Sequence, residues 1–169
     1  MLNVGVIIIL AALLTSSTAF IPLSDTPFVG KLPLNNDPKE YDIAEILVNH
    51  DISPYNVNEI LVYVFFTGLG GSPGPTNRAF YEIYTESATA QYKLFFNAVF
   101  NQPDTVINSA NLWIPFAGYG YLYAHKIGQQ EFDVEEQHSV THKSLHEAMN
   151  AYIQGKEDVF RDIYLIGYR

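Results

Sequence analysis

Three histidines have the spacing best suited to chemistry: His138, His142 and His146 follow one another at intervals of four residues. On an α-helix, which has ~3.6 residues per turn, side chains four positions apart project from the same side. Two neighbouring imidazoles could then hold one Zn²⁺ or Cu²⁺ ion, with Glu135 close enough to supply an oxygen ligand.

Two other interpretations of these histidines are open. Imidazoles gain charge below about pH 6.5, so the series could act as a pH switch beside apolar residues. The interpretation that we prefer is a half-exposed polar shoulder of a helix without a special role. We therefore expect no cofactor, and one Zn or Cu ion is the alternative.

The candidates for catalysis are weak. Residues 70–74 read G-x-S-x-G, the string of a hydrolase nucleophile elbow, but the residue after the serine must donate its backbone N–H to the oxyanion hole. Here that residue is Pro73, which has no N–H. Glu82 and Glu86 lie on the polar side of a predicted helix, where carboxylates are solvated. No catalytic residue is predicted, and we do not expect an enzyme.

Aromatic side chains are the broadest signal. The 12 Tyr and 11 Phe exceed what a minimal core needs, and they could line an apolar cavity that also offers hydroxyl donors. A closed aromatic core is the alternative, and exposed tyrosines would suit a protein partner. The predicted ligand-binding residues are Tyr84, Tyr92, Phe96, Trp113 and Tyr121.

The composition excludes several classes of function. The chain has 9 basic and 18 acidic residues, a net charge of −9, and no cysteine. A negative balance disfavours nucleic acid and anionic membrane surfaces, both of which reward clustered Lys and Arg. Disulfides and zinc–thiolate sites are excluded, so stability has to come from a well-filled core.

The element expected to organise the fold runs from Thr76 to Asn101. Its apolar residues, most of them aromatic, recur at steps of three and four, and charged residues fall on the other side. This pattern predicts a long amphipathic helix with Thr76 as its N-cap. The predicted fold is mainly α, a compact bundle of five or six helices around this central helix.

The other predicted elements are shorter. A helix over 37–50 begins with Asp-Pro, and another over 53–66 begins with Ser-Pro. The stretch 60–66 is apolar on nearly every side, so a buried strand there, in a mixed α/β fold, is the alternative. A short helix is predicted near 105–111 and an irregular helix near 116–126. The alternation of Tyr119, Tyr121 and Tyr123 would also suit a short strand.

The C-terminal part of the chain is predicted to be helical as well. Asp133 with Glu136 three residues later starts a helix, and Gly155 is placed to end it. The tail after Lys156 is predicted to form a last short helix.

The first residues read as a targeting segment. An apolar run over 4–14 is followed by small residues at 17–19, as in a signal peptide. The run is shorter than the ~20 residues that span a bilayer. We therefore predict a signal peptide over 1–19, no membrane span after its cleavage, and a single secreted domain over 20–169.

The predicted function is a secreted, non-enzymatic binding or carrier protein for a small apolar ligand. The alternative is an extracellular protein–protein interaction module without a ligand cavity. A void lined by the aromatic residues would favour the first, and an exposed aromatic patch would favour the second.

Overall fold

The described residues form two antiparallel β-sheets and two short helices. A computed structural model describes residues 19–33, 35–67, 77–86, 92–98, 108–116, 121–130, 141–156 and 160–169. Within these ranges the helices are α1 (Ile43–Asn49) and α2 (Leu145–Ile153), and a 3-10 helix covers Pro54–Asn56. Most of the other described elements are strands.

The strands of the first sheet are β1 (Ile21–Pro22), β2 (Phe28–Lys31), β4 (Glu59–Thr67), β7 (Asn108–Pro115) and β9 (Phe160–Tyr168). Those of the second are β3 (Lys39–Tyr41), β5 (Asn77–Thr85), β6 (Tyr92–Ala98) and β8 (Leu122–Gln130). The first sheet has the order β1-β9-β4-β7, and β2 also pairs with β9. The second sheet has the order β3-β8-β5-β6.

The main hydrophobic core contains side chains from both sheets. It receives one face of β4 and β9, and Tyr81 and Ile83 from β5. Successive strand residues point to opposite faces, so alternate residues of β4 enter this core. Those residues are Ile60, Val62, Val64 and Phe66. The Thr85 hydroxyl also donates a hydrogen bond to the Pro115 carbonyl, which joins β5 to β7.

A second core lies on the opposite face of β4. It contains Leu61, Phe65 and Tyr164, and α2 contributes Leu145 and Met149 to it. Strands β4 and β9 are therefore buried on both faces, which explains why the sequence over 60–66 is apolar without interruption.

The predicted central helix over Thr76–Asn101 is wrong, and with it the helical bundle. The described residues of this segment form β5 and β6, which pair antiparallel. Buried residues alternate along β5 as Tyr81, Ile83 and Thr85, and Tyr84 lies on the other face. Because aromatic residues occur on both faces, the sequence satisfies helical steps as well as alternation.

The β-branched and aromatic residues over 60–66 favour a strand, and a strand is what this segment forms. It lies inside β4, so the favoured helix is wrong and the alternative strand is right, although two β-sheets rather than a mixed α/β domain surround it. The Ser53-Pro54 signal opens only the 3-10 helix. The predicted helix over 37–50 begins later than expected, with Asp42 as its N-cap, because β3 occupies Lys39–Tyr41.

Of the remaining helical predictions, most are wrong and one helix end is confirmed. Strands β7, β8 and β9 replace the helices predicted within 105–126 and in the tail. The predicted start at Asp133 lies outside the described residues; residues 141–144 are not helical, and α2 follows them with Ser144 as its N-cap. The C-terminal stop is confirmed, since Gly155 has a positive φ of 66° just after the cap.

The predicted signal peptide over 1–19 falls almost entirely outside the described residues and stays a prediction. In the part of the chain that the structure describes, no helix combines the length and apolar character needed to cross a membrane.

Candidate anion-binding cleft

A cleft of about 510 Å³ lies where β2, the segment after it and β9 meet. Strand β3, which belongs to the second sheet, contributes Lys39 to its wall. The cleft therefore takes residues from both sheets. It is lined by Lys31, Leu32, Pro33, Asn35, Asp37, Pro38, Lys39 and Arg161.

Main-chain pairing holds the two basic residues of the first sheet close together. Lys31 lies opposite Asp162 in the β2–β9 register, and the Leu32 N–H donates to the Arg161 carbonyl at 2.7 Å. Lys31 and Arg161 thus both line the cleft although they are far apart in the sequence, and the Lys31 ammonium lies against the Asp162 carboxyl group.

Two buried tyrosines fix the backbone of the cleft wall. The Tyr41 hydroxyl donates to the Lys31 carbonyl, and the Tyr81 hydroxyl donates to the Pro33 carbonyl at 2.9 Å. Burial raises the pKa of both phenols above the ordinary value, so each stays a proton donor at neutral pH. Both tyrosines belong to the main core, so the core holds this wall of the cleft in place.

The three cations of the cleft act on one another. Desolvation lowers the pKa of Lys39 below the usual lysine value, and the positive charges of Arg161 and Lys31 lower it further. The Lys39 Nζ lies 5.6 Å from the centroid of the Tyr41 ring, a distance at which a cation–π contact forms. These positive charges favour the binding of a negatively charged group in the cleft.

A buried carboxylate supports the cleft from behind. Asp162, with its side chain on the opposite face of β9 from Arg161, is fully buried and accepts a hydrogen bond from the Tyr164 hydroxyl at 2.9 Å. Its Oδ1 lies 3.4 Å from the Lys31 Nζ. Burial nevertheless raises the pKa of Asp162, an effect that Lys31, Tyr164 and the nearby His142 oppose.

The structure separates the residues predicted from the sequence to bind a ligand. Tyr84 and Tyr121 come together on the outer face of the second sheet, where both approach Tyr123. Trp113 belongs to the first sheet and lies beneath the Arg169 guanidinium. Tyr92 and Phe96 are in β6, opposite Ile83 and Ala79 in register, and their side chains lie outside the described set.

The histidine series is not arranged as one helical ladder. His138 lies outside the described residues, and His142 precedes α2 and stacks on Phe160 with ring centroids 5.7 Å apart. His146 is exposed on α2 and is 3.0 Å from the Asn150 amide. Among the described residues, no three His, Asp or Glu side chains are grouped as metal ligands. The metal site stays a prediction.

Sequence reasoning missed Lys31, Lys39 and Arg161. The available signal was scarcity: with 9 basic residues in the chain, any place where three of them meet is notable. Recognising that place requires the pairing of β2 with β9, which no local pattern reveals.

No protein-family model matches this chain, and no curated protein is found to be similar to it. Its function is therefore inferred from the geometry of the cleft.

Proposed function

We propose that this chain is a non-enzymatic binding protein that holds a small organic anion, with a carboxylate or phosphate head, in the cleft. The observation that carries the proposal is the convergence of Lys31, Lys39 and Arg161 on one cleft in a chain whose net charge is −9. Arg161 and Lys31 repel the charge on Lys39, a bound negative charge would relieve that repulsion, and hydrogen bonds between ionised partners are stronger than neutral ones. Arg161 adds a planar guanidinium that suits a bidentate oxyanion.

The size and walls of the cleft suggest an amphipathic ligand. Its 510 Å³ falls within the ~300–1,000 Å³ of ordinary ligand sites. Pro38 adds exposed apolar surface beside the cations, and the buried Leu32 and Pro33 form the wall behind it. The small apolar ligand expected from the sequence is thus retained in the proposal only as the tail of an anion.

A binding role is proposed in preference to catalysis because of where the acid–base groups lie. Asp37, the carboxylate among the described lining residues, is exposed to solvent, whereas carboxylates that do acid–base work are desolvated in a pocket. Secretion, expected from residues 1–19, belongs to the same proposal.

The test is a titration calorimetry series with octyl phosphate, octanoate and octanol. We expect both anions to bind the folded protein and octanol to bind at least tenfold more weakly. We also expect Lys39→Met to weaken octyl phosphate binding by about tenfold, a loss typical of a hydrogen bond to a charged group.

Lys156→Met is the matched control, because Lys156 is exposed and lies outside the cleft lining. It removes the same charge and should leave the affinity unchanged. Equal binding of octanol and octyl phosphate would overturn the anion assignment. Equal losses in Lys39→Met and Lys156→Met would show a non-specific charge effect and would overturn the site.

A further inference from the structure

The outer face of the second sheet presents a grid of tyrosines and glutamates. Tyr84 lies opposite Tyr123 across β5 and β8, and their rings stack with centroids 5.2 Å apart and planes 13° from parallel. Tyr121 meets Tyr123 edge to face at 6.4 Å and is exposed. On the other side of Tyr123, Glu40 lies opposite it in β3. We call these residues, with Glu86, the tyrosine–glutamate face.

The face carries concentrated negative charge. The Tyr123 hydroxyl donates to Glu86 Oε1 at 2.7 Å, and Glu40 and Glu86 are both exposed. The hydrogen bond to Glu86, together with the charges of Glu86 and Glu40, raises the pKa of Tyr123 to about 12. The rings therefore lie in a negative potential, which strengthens their attraction for a cation.

The same chain contains the recognition unit that this face would use. The Arg169 guanidinium lies 4.0 Å from the centroid of the Trp113 ring, and its Nε contacts the Glu59 carboxylate. One guanidinium thus stacks on an aromatic ring while it pairs with a carboxylate. The tyrosine–glutamate face offers aromatic rings from β5 and β8, with the carboxylates of Glu86 and Glu40 beside them.

We propose that the tyrosine–glutamate face docks an arginine-bearing peptide segment of a partner protein. A guanidinium would stack on the Tyr84–Tyr123 pair and hydrogen-bond to Glu86 or Glu40. Arginine is the side chain of choice because its planar cation both stacks and forms forked bonds to a carboxylate, whereas lysine is a hydrated point charge. Tyrosines supply large, rigid contact area at low entropy cost, as they do in other protein interfaces. This function is separate from anion binding in the cleft.

The probe for the test is the peptide Gly-Arg-Gly-Arg-Gly-Arg, with a citrulline peptide of the same length as control. Citrulline keeps the planar head group and loses the charge. We expect saturable binding of the arginine peptide in NMR titrations of the full chain, with the shifts centred on β5 and β8, and at least fivefold weaker binding of the citrulline peptide.

Variants separate this face from general acidity. Tyr84→Ala should weaken the arginine peptide roughly two- to fivefold, the range of an exposed cation–π contact. Tyr55→Ala is its matched control, because Tyr55 is 81% exposed and lies in the 3-10 helix. Glu40→Gln should also weaken binding, and Glu45→Gln on α1, another exposed glutamate, should not.

Circular dichroism of each variant would confirm that the fold is retained. Equal affinity for the arginine and citrulline peptides would overturn the proposal, as would equal effects of Tyr84→Ala and Tyr55→Ala. A dimer in which this face is buried against a second copy, with no peptide binding, would overturn it too. Saturating octyl phosphate should not compete with the arginine peptide, which keeps this outcome independent of the cleft.

Discussion

The backbone of Gly30 lies directly against the ring of Tyr41. A Cβ atom built on Gly30 would overlap Cδ1 and Cε1 of that ring, so only glycine allows β2 and β3 to approach this closely. The approach matters for the cleft because the Tyr41 hydroxyl donates to the Lys31 carbonyl and Lys39 stacks over the same ring. The Gly30–Tyr41 contact thus links the packing of the two sheets to the positions of Lys31 and Lys39, two of the three cations.

We expect Gly30→Ala to destabilise the protein by about 1–3 kcal/mol, the usual cost of overpacking a close contact. The added methyl group must push the Tyr41 ring away, which also moves the Lys31 carbonyl and Lys39. Urea denaturation measures the stability, and octyl phosphate titration measures the effect on the cleft, which should lose several-fold in affinity.

Gly155→Ala is the control for this prediction. Gly155 has open space around a Cβ position but a φ of 66°, so alanine there should cost about 1 kcal/mol through backbone strain. It lies after α2, away from the cleft lining, and should not change anion binding. Weakened binding in both variants would mean that lost stability, not the Tyr41 contact, is responsible.

The buried Asp162 predicts a distinctive pH dependence of stability. Unfolded aspartate titrates near 3.9, and burial raises the folded pKa above that value. The folded state then holds this proton more tightly than the unfolded state. The stabilising contribution of Asp162 is therefore fully present below about pH 3.9 and is lost as pH rises through the folded pKa.

Asp162→Asn reveals this contribution, because asparagine has no carboxyl group that can gain or lose a proton. The difference in unfolding free energy, wild type minus variant, should fall as pH rises from 3 to 7 in a urea series. Asp51→Asn, at an exposed carboxylate in a left-handed turn that asparagine tolerates, is the matched control. A difference that instead rises with pH would mean that the Lys31 pairing outweighs burial.

The failure of the helical prediction has a local physical cause. The helical steps over 76–101 run through Phe80, Ile83 and Tyr84, and they leave out Tyr81. Tyr81 is fully buried, and it is the residue that reveals alternation in β5. When both faces of a strand carry aromatic residues, period two and period 3.6 are satisfied together, and only long-range pairing distinguishes them.

Only some of the signals that act within a few residues are confirmed. The end of α1 at His50 and the stop at Gly155 are present. Ser53 makes no side-chain cap and precedes only a 3-10 helix, and α1 begins after Asp42 rather than at Asp37. The cleft could not be read in this way, because Lys31 and Arg161 meet only through the pairing of strands distant in the sequence. Two residues of the tyrosine–glutamate face, Tyr84 and Tyr121, are among the ligand-binding residues predicted from the sequence, but the strand pairing that brings them to Tyr123 is not visible there.

The hydroxyl of Tyr81 should be worth a measurable amount of stability. It donates a buried hydrogen bond to the Pro33 carbonyl, so Tyr81→Phe removes the donor and should cost about 1–2 kcal/mol. Tyr55→Phe, at an exposed tyrosine, should stay within about 0.5 kcal/mol of the wild type. Urea denaturation of both variants checks this, and equal values would show that the bond contributes nothing net.

The lowered pKa of Lys39 predicts how anion binding fails at high pH. Lys39 loses its proton at lower pH than an ordinary lysine, whose pKa is near 10.4, so its contribution to binding should disappear early as pH rises. Arginine stays protonated throughout this range. Lys39→Arg should therefore bind octyl phosphate at pH 7 nearly as well as the wild type, and it should retain that affinity up to about pH 10. Tyr41 and Tyr81 do not add a charge change in this pH range, because burial raises the pKa of both phenols.

Calorimetric titrations at pH 7, 8.5 and 10 measure the ratio of the octyl phosphate affinities of the wild type and Lys39→Arg. A ratio that stays constant even when the series is extended above the ordinary lysine pKa would show that Lys39 does not contact the anion.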